Sequence, residues 1–159
     1  MDERYEKLLQ GNDEYVFLNG GCHVFALALH QRCRYPLVCL RDSSSNCVPH
    51  VYCRYAEYLV DVMGFNPEQD ILEAQKWTPH DGYSAEEVTP LGLEQSYIFV
   101  FPCHGLYGNP DFLLEARTRA DTRIRDYIVF FDGTCKQSIK RHPFLNEMRA
   151  DSDNVFNQQ

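Results

Sequence analysis

A pair of glycines followed at once by a cysteine constrains this chain most. Asn19-Gly20-Gly21 cannot sit comfortably inside a helix, whereas Cys22 to Cys33 is rich in helix formers, so a turn must become a helix at Gly21 or Cys22. Cys22, Phe25, Ala26 and Leu29 then share one helical face, which is expected to be packed. A cysteine in a first helical turn feels the positive end of the helix dipole and unpaired backbone amides. Both favour the thiolate. The competing reading of Cys22 alone is a small core residue, since free cysteine is among the most buried residue types.

The chain in order gives an α+β pattern. Residues 2–10 read as a short amphipathic helix stopped by Gly11, and 36–40 as a first strand with Pro36 at its start. His50–Tyr55 and Tyr58–Val62 are aromatic and β-branched runs expected to form an antiparallel hairpin. With an even turn centred between Tyr55 and Ala56, the opposed pairs are Cys53 with Tyr58, Tyr52 with Leu59, and His50 with Asp61. Opposed residues share a face with Cβ atoms roughly 4.5–5.5 Å apart.

Asn66-Pro67-Glu68-Gln69 predicts a helix start with Asn as cap, running to about Trp77. Ser84-Ala85-Glu86-Glu87 has the form of a capping box opening another helix. Gln95–Phe101 reads as a strand, Asn109-Pro110-Asp111 opens a helix to about Ala120, and Arg123–Phe131 reads as a further strand. Residues 1–150 therefore predict a single domain with helices first and then a mostly antiparallel sheet. The polar stretch 151–159 is expected to be a disordered tail.

A thiol nucleophile needs a base to take its proton and a third group to orient that base. Cys22, His50 and Asp61 supply these in order, on a helix start, a strand start and a returning strand. Asn19, in the preceding turn, is the candidate oxyanion donor beside the Cys22 N–H. His23 lies ~100° round the helix from Cys22 and is expected at the surface or behind the thiol. His80-Asp81 and Cys103-His104 read as loop residues that could contact substrate, with plain surface the simpler reading.

The arrangement resembles the papain-like cysteine peptidase fold, and more closely its minimal bacterial and viral forms, the NlpC-type amidases and papain-fold toxins and effectors. Asn19-Gly20-Gly21-Cys22-His23-Val24-Phe25-Ala26-Leu27-Ala28-Leu29, His50-Val51-Tyr52 and Tyr58-Leu59-Val60-Asp61-Val62-Met63-Gly64 carry the resemblance, over about residues 15–65. It implies a nucleophile helix packed on the sheet, with Cys22, His50 and Asp61 as nucleophile, base and orienter. Where papain has a glutamine six residues before the nucleophile, this chain has Val16. The implied activity is a thiol hydrolase for an amide, ester or isopeptide bond in a protein or peptide. The same triad serves a deamidase or a transglutaminase-type effector. A non-catalytic papain-fold protein that inhibits a partner is the alternative of another class.

Composition narrows the partners. The net charge of -8 argues against nucleic acid, which is held through basic residues. Residues 1–110 hold seven Lys/Arg against fifteen Asp/Glu, whereas 111–159 hold eight of each, with Arg117, Arg119, Arg123, Arg125, Lys136, Lys140 and Arg141 bunched. That bunching makes residues 117–141 a candidate face for an acidic protein partner, against the plainer reading of solvated surface. Seven cysteines, an odd number, and a charged opening without an apolar leader point to reduced thiols. The expected location is the cytoplasm, or another cell reached without a cleavable signal. No apolar run is long enough to span a bilayer, so no membrane role is expected. No cofactor is implied. A metal is not expected either, because Cys47, His50 and Cys53 are spaced by three along a strand and cannot all share a face.

Overall fold

The computed structural model describes residues 3–100, 109–134, 136 and 141–145. Its helices are α1 (Glu3–Leu9), α2 (Asp13–Leu18), α3 (Cys22–Cys33), α4 (Glu68–Gln75), α5 (Pro90–Val100) and α6 (Pro110–Asp126). The strands are β1 (Leu37–Asp42), β2 (His50–Tyr55), β3 (Tyr58–Asp61), β4 (Gly64–Pro67) and β5 (Tyr83–Val88). They form one open antiparallel sheet in the order β4-β3-β2-β1-β5. The molecule is an α+β fold.

Strand alternation gives the sheet two faces with different cover. Leu37, Cys39, Val51, Cys53, Val60 and Phe65 join α3 and its neighbours in one core, where Phe25 packs 4.9 Å from Phe17 and 5.6 Å from Phe131. Val38, Leu40, Tyr52 and Leu59 meet Ile71 and Leu72 of α4 in the other. α3 is wedged between β2 on one side and α6 on the other. It is therefore buried at His23, Val24, Phe25, Ala26, Ala28 and Leu29 rather than on a single face. Full burial of a side chain such as Phe25 or Leu29 stabilises the fold by roughly 1.5–3 kcal/mol, so α3 is held from both sides.

Several expectations are corrected. The hairpin register is Cys53↔Val60, Arg54↔Leu59 and Tyr55↔Tyr58, so the turn is Ala56-Glu57 and the opposed pairs move by two residues. Ala56 makes this possible by taking φ 50°. Asn66-Pro67 belongs to β4, which pairs with β3 through Leu59↔Asn66 and Tyr58↔Pro67, so the Asn does not cap α4. Ser84–Glu87 lies in β5 because the open edge of β1 accepts a six-pair ladder from Leu37↔Val88 to Asp42↔Tyr83, which outweighs a local capping pattern.

Residues 95–100 are helical in α5, since Thr89 caps it, its Oγ1 accepting from Gly92 N–H at 3.0 Å. Arg123–Phe131 is not a strand: Phe112, Ala116, Ala120 and Ile124 recur every four residues and carry α6 to Asp126, and Ile128–Phe131 is a 3-10 turn. Asn109 caps α6 as expected, accepting from Phe112 N–H at 3.0 Å. α2, which the sequence reading did not contain, starts on the Asn12 side chain. The ends of two expectations, at Phe101 and over residues 151–159, lie outside the described residues.

Among the described residues no helix is long and apolar enough to cross a membrane. The basic run is drawn inward in part. Arg119 donates to Asp13 Oδ1 at 2.9 and 3.0 Å and to the Leu9 and Gly11 carbonyls at 2.8 Å, tying α6 to the α1–α2 turn. Arg117 bonds Asp121 and Gln31, and Arg123 stacks 4.2 Å over Tyr127.

Candidate active site

Cys22 is the first residue of α3, and what precedes it explains why. Gly20 takes φ 146°, a conformation that favours glycine, and Gly21 lies so close to α2 that an added Cβ would be 3.0 Å from Val16 O. Gly21 O accepts from Val24 and Phe25 N–H at 3.0 and 3.2 Å, and no side chain caps the helix. The amides of Cys22 and His23 thus precede the first bonded turn, at the positive end of the dipole.

α3 and β2 run side by side, with Cys53 Sγ donating to Ala26 O at 3.2 Å, so the first residues of both come together at one end of the sheet. His50 opens β2. Its Nε2 is 3.1 Å from Asp61 Oδ2, with the two side chains 1% and 5% exposed. Continuing the hairpin register, Asp61 faces Tyr52 and is the diagonal neighbour of His50. Because side chains alternate with a period of two, a two-residue shift keeps both on one face. The wider diagonal, roughly 7–8 Å between backbones, is what an imidazole and a carboxylate together bridge.

With Nε2 on Asp61, the other ring nitrogen of His50, Nδ1, is left for Cys22. Burial pushes the Cys22 thiol up, but hydrogen bonds and charge from His23 and His50 overcome this and lower it to about 5. Burial favours neutral His50, yet Asp61 and the Cys22 thiolate raise it to about 9. Cys33, Cys39 and Cys53 move the opposite way, pushed up chiefly by burial. Cys22 therefore stands out as an activated thiol partly open to solvent, at a helix start and beside an imidazole.

Asp61 has a second histidine that the sequence reading missed. His142 Nε2 donates to the same Oδ2 at 2.7 Å, while Met63 N–H donates to Oδ1 at 2.9 Å. His142 Nδ1 accepts from Phe144 N–H at 3.2 Å, which fixes the ring with its proton on Nε2. Burial would raise the Asp61 carboxyl, but His142 and then His50 hold it well below the usual carboxylate range. Around His50 stand Tyr52 and Trp77, stacked at 5.8 and 6.1 Å, and Phe144, edge-on at 5.4 Å. These rings wall the ion pair from water on the α4 side.

One sequence expectation lands elsewhere and another is narrowed. The Asn19 amide donates to Tyr15 O at 2.9 Å and is committed to its own helix. Of the two places expected for His23, surface or behind the thiol, it takes the second: it is buried, 3% exposed, and acts on the thiol, with α6 packed on α3. His80 is exposed, and Asp81 closes a local turn on Thr78 at 2.6 Å. Cys103-His104 lie outside the described residues. Cys53 turns its thiol to α3 while His50 turns to Asp61, and among the described residues no three His, Cys, Asp or Glu groups gather as a metal site.

Against known proteins, the chain matches no family model, no curated protein and no solved structure. The chemical reading thus stands on the geometry. A lowered thiol, a raised imidazole and a buried carboxylate in sequence are the groups that a nucleophile, an acid–base and an orienter would need for acyl transfer.

Proposed function

We propose that this protein is a thiol hydrolase that cleaves an amide, ester or isopeptide bond through an acyl-enzyme on Cys22, in a papain-like arrangement of helix and sheet. One observation carries the reading: His50 is bonded through Nε2 to buried Asp61 at 3.1 Å while the thiol at the start of α3 is held low by His50 and His23.

Cys22 Sγ attacks the carbonyl carbon, and the oxygen takes up the negative charge. The Cys22 backbone N–H, at the uncapped start of α3, is the donor best situated for it, since Asn19 is engaged with Tyr15. As the bond to the leaving group breaks, His50 gives its Nδ1 proton to the departing nitrogen or oxygen. His50 then takes a proton from water, whose oxygen attacks the thioester, releasing the acid and restoring the thiolate. Asp61 keeps Nε2 protonated and faces the imidazolium throughout. With glutamine as the acyl donor the first step releases ammonia, so deamidation and acyl transfer use the same intermediate. A protein or peptide supplies such bonds.

The test is acylation by p-nitrophenyl acetate. A stoichiometric burst of p-nitrophenolate, with the acetyl group found on Cys22 by mass spectrometry and lost in Cys22→Ala and His50→Ala, is the expected result. Acetyl spread equally over Cys22, Cys33 and Cys47, or a burst indifferent to His50→Ala, would sink the proposal.

A further inference from the structure

Asp61 Oδ2 is shared unequally. His142 reaches it at 2.7 Å and His50 at 3.1 Å, so the shorter bond decides where that oxygen sits when His50 approaches. His142 arrives from 81 residues further along the chain and is 0% exposed. Its neighbours in 141–145 are fastened to the same place. Gln75 of α4 donates through Nε2 to Phe144 O at 2.9 Å. Phe144 packs against His142 at 4.6 Å, His50 at 5.4 Å and Trp77 at 5.5 Å. A buried histidine whose Nδ1 already accepts from Phe144 has one proton to give, and it gives it to Asp61.

We infer that His142 is a positioning residue for the thiol–imidazole pair, acting through Asp61, and that the 141–145 segment completes the site as an aromatic strap. The inference rests on the proposed roles of Cys22 and His50. With His142 in place, both oxygens of Asp61 are pinned, Oδ1 by Met63 N–H and Oδ2 by His142. The carboxylate cannot turn about its χ2, and His50 meets it in one orientation. Without that donor, Oδ2 has His50 alone. The titratable groups around His50 are Asp61 from β3 and Cys22 from α3, with His23 beside the thiol and His142 on the far side of Asp61; Tyr52, Trp77 and Phe144 contribute uncharged rings.

The experiment compares His142→Met, which fills the buried volume without the donor, with His142→Gln, whose amide can still donate to Asp61. Iodoacetamide alkylation of Cys22 is followed against pH in the full chain by mass spectrometry. His142→Met is expected to slow alkylation at neutral pH about tenfold, of the order found when an orienting partner is removed. Its acid limb should move to higher pH, while His142→Gln restores most of the rate.

Adding His142→Met to Asp61→Asn should change the rate by less than about twofold, because the two act as one unit. Near-UV circular dichroism establishes that each variant is folded. Unchanged Cys22 profiles in folded His142→Met, a limb that moves to lower pH, or full additivity with Asp61→Asn would overturn the inference while leaving the hydrolase reading intact. Wild-type Cys22 with an ordinary thiol profile would overturn both.

Discussion

His50 and Asp61 meet on a diagonal of the β2–β3 hairpin, Nε2 to Oδ2 at 3.1 Å, with Tyr52 rather than His50 directly opposite the carboxylate. This placement leaves Nδ1 of the ring at the end of the strand, where α3 begins. The orientation of the imidazole therefore follows from hairpin register, and its reach to Cys22 from the parallel run of α3 and β2.

The lowered thiol and raised imidazole define a pH window. A thiol with a depressed pKa is already thiolate at neutral pH, so its alkylation rate should rise through about pH 5 and stay high. The imidazolium partner is lost only as pH rises through about 9, so the proposed hydrolysis, which needs that proton for the leaving group, should fall there. Cys39, pushed up to about 11, should stay inert over the same range. Iodoacetamide labelling of each cysteine from pH 4 to 10 checks this. His23→Phe should move the Cys22 limb to higher pH, since His23 lowers that thiol along with His50. Labelling of Cys22 that begins only above pH 8 would contradict the electrostatics.

How much of this was legible from the residues varied with the range of the interaction involved. Gly20-Gly21-Cys22 announced a helix start because glycine conformation and helix propensity are local, and the two hairpin runs announced themselves by composition. The two-residue register error at Ala56-Glu57 did no harm to the His50–Asp61 pairing only because strand faces repeat every two residues. Ser84–Glu87 was misread because a capping pattern is local, whereas the edge of β1 that recruits it lies more than forty residues away. His142 carried no periodic signal at all. It sits just before the short 3-10 turn Pro143–Leu145, and only the last aromatic before the polar tail, Phe144, hinted that the chain returns to a core there.

Ala56 offers a test of the hairpin itself. It holds φ 50° at the first position of a two-residue turn, where a side chain crowds the carbonyl and glycine does not. The left-handed conformation costs a non-glycine residue roughly 1–2 kcal/mol, part of which glycine returns as extra freedom of the unfolded chain. Ala56→Gly should therefore stabilise the protein by about 1 kcal/mol, seen as a higher urea midpoint at unchanged slope. Because β2 and β3 keep their register, Cys22 labelling should be unaltered. A lower midpoint, or altered labelling, would show that the turn holds the strands in some other way.

Gly21 couples packing to chemistry. An alanine Cβ there would stand 3.0 Å from Val16 O, 3.2 Å from Phe17 Cδ1 and 3.3 Å from Val16 Cγ1, all on the helix before Cys22. Val16 and Phe17 are 0% and 1% exposed and have no room to retreat, and one of the atoms is backbone, so α2 and the start of α3 must move apart. Overpacking of this kind costs typically 1–3 kcal/mol. The shift should also break Gly21 N–H to Val16 O, now 2.9 Å, and tilt the amides of Cys22 and His23 away from their present line. Gly21→Ala is thus expected to lower the urea midpoint and, in the fraction that remains folded, to cut p-nitrophenyl acetate acylation more than iodoacetamide alkylation. Acylation needs the oxyanion donor at the Cys22 N–H, whereas alkylation needs only the thiolate. Equal losses in both reactions would place the effect on the thiol alone and remove the Cys22 amide from the proposed mechanism.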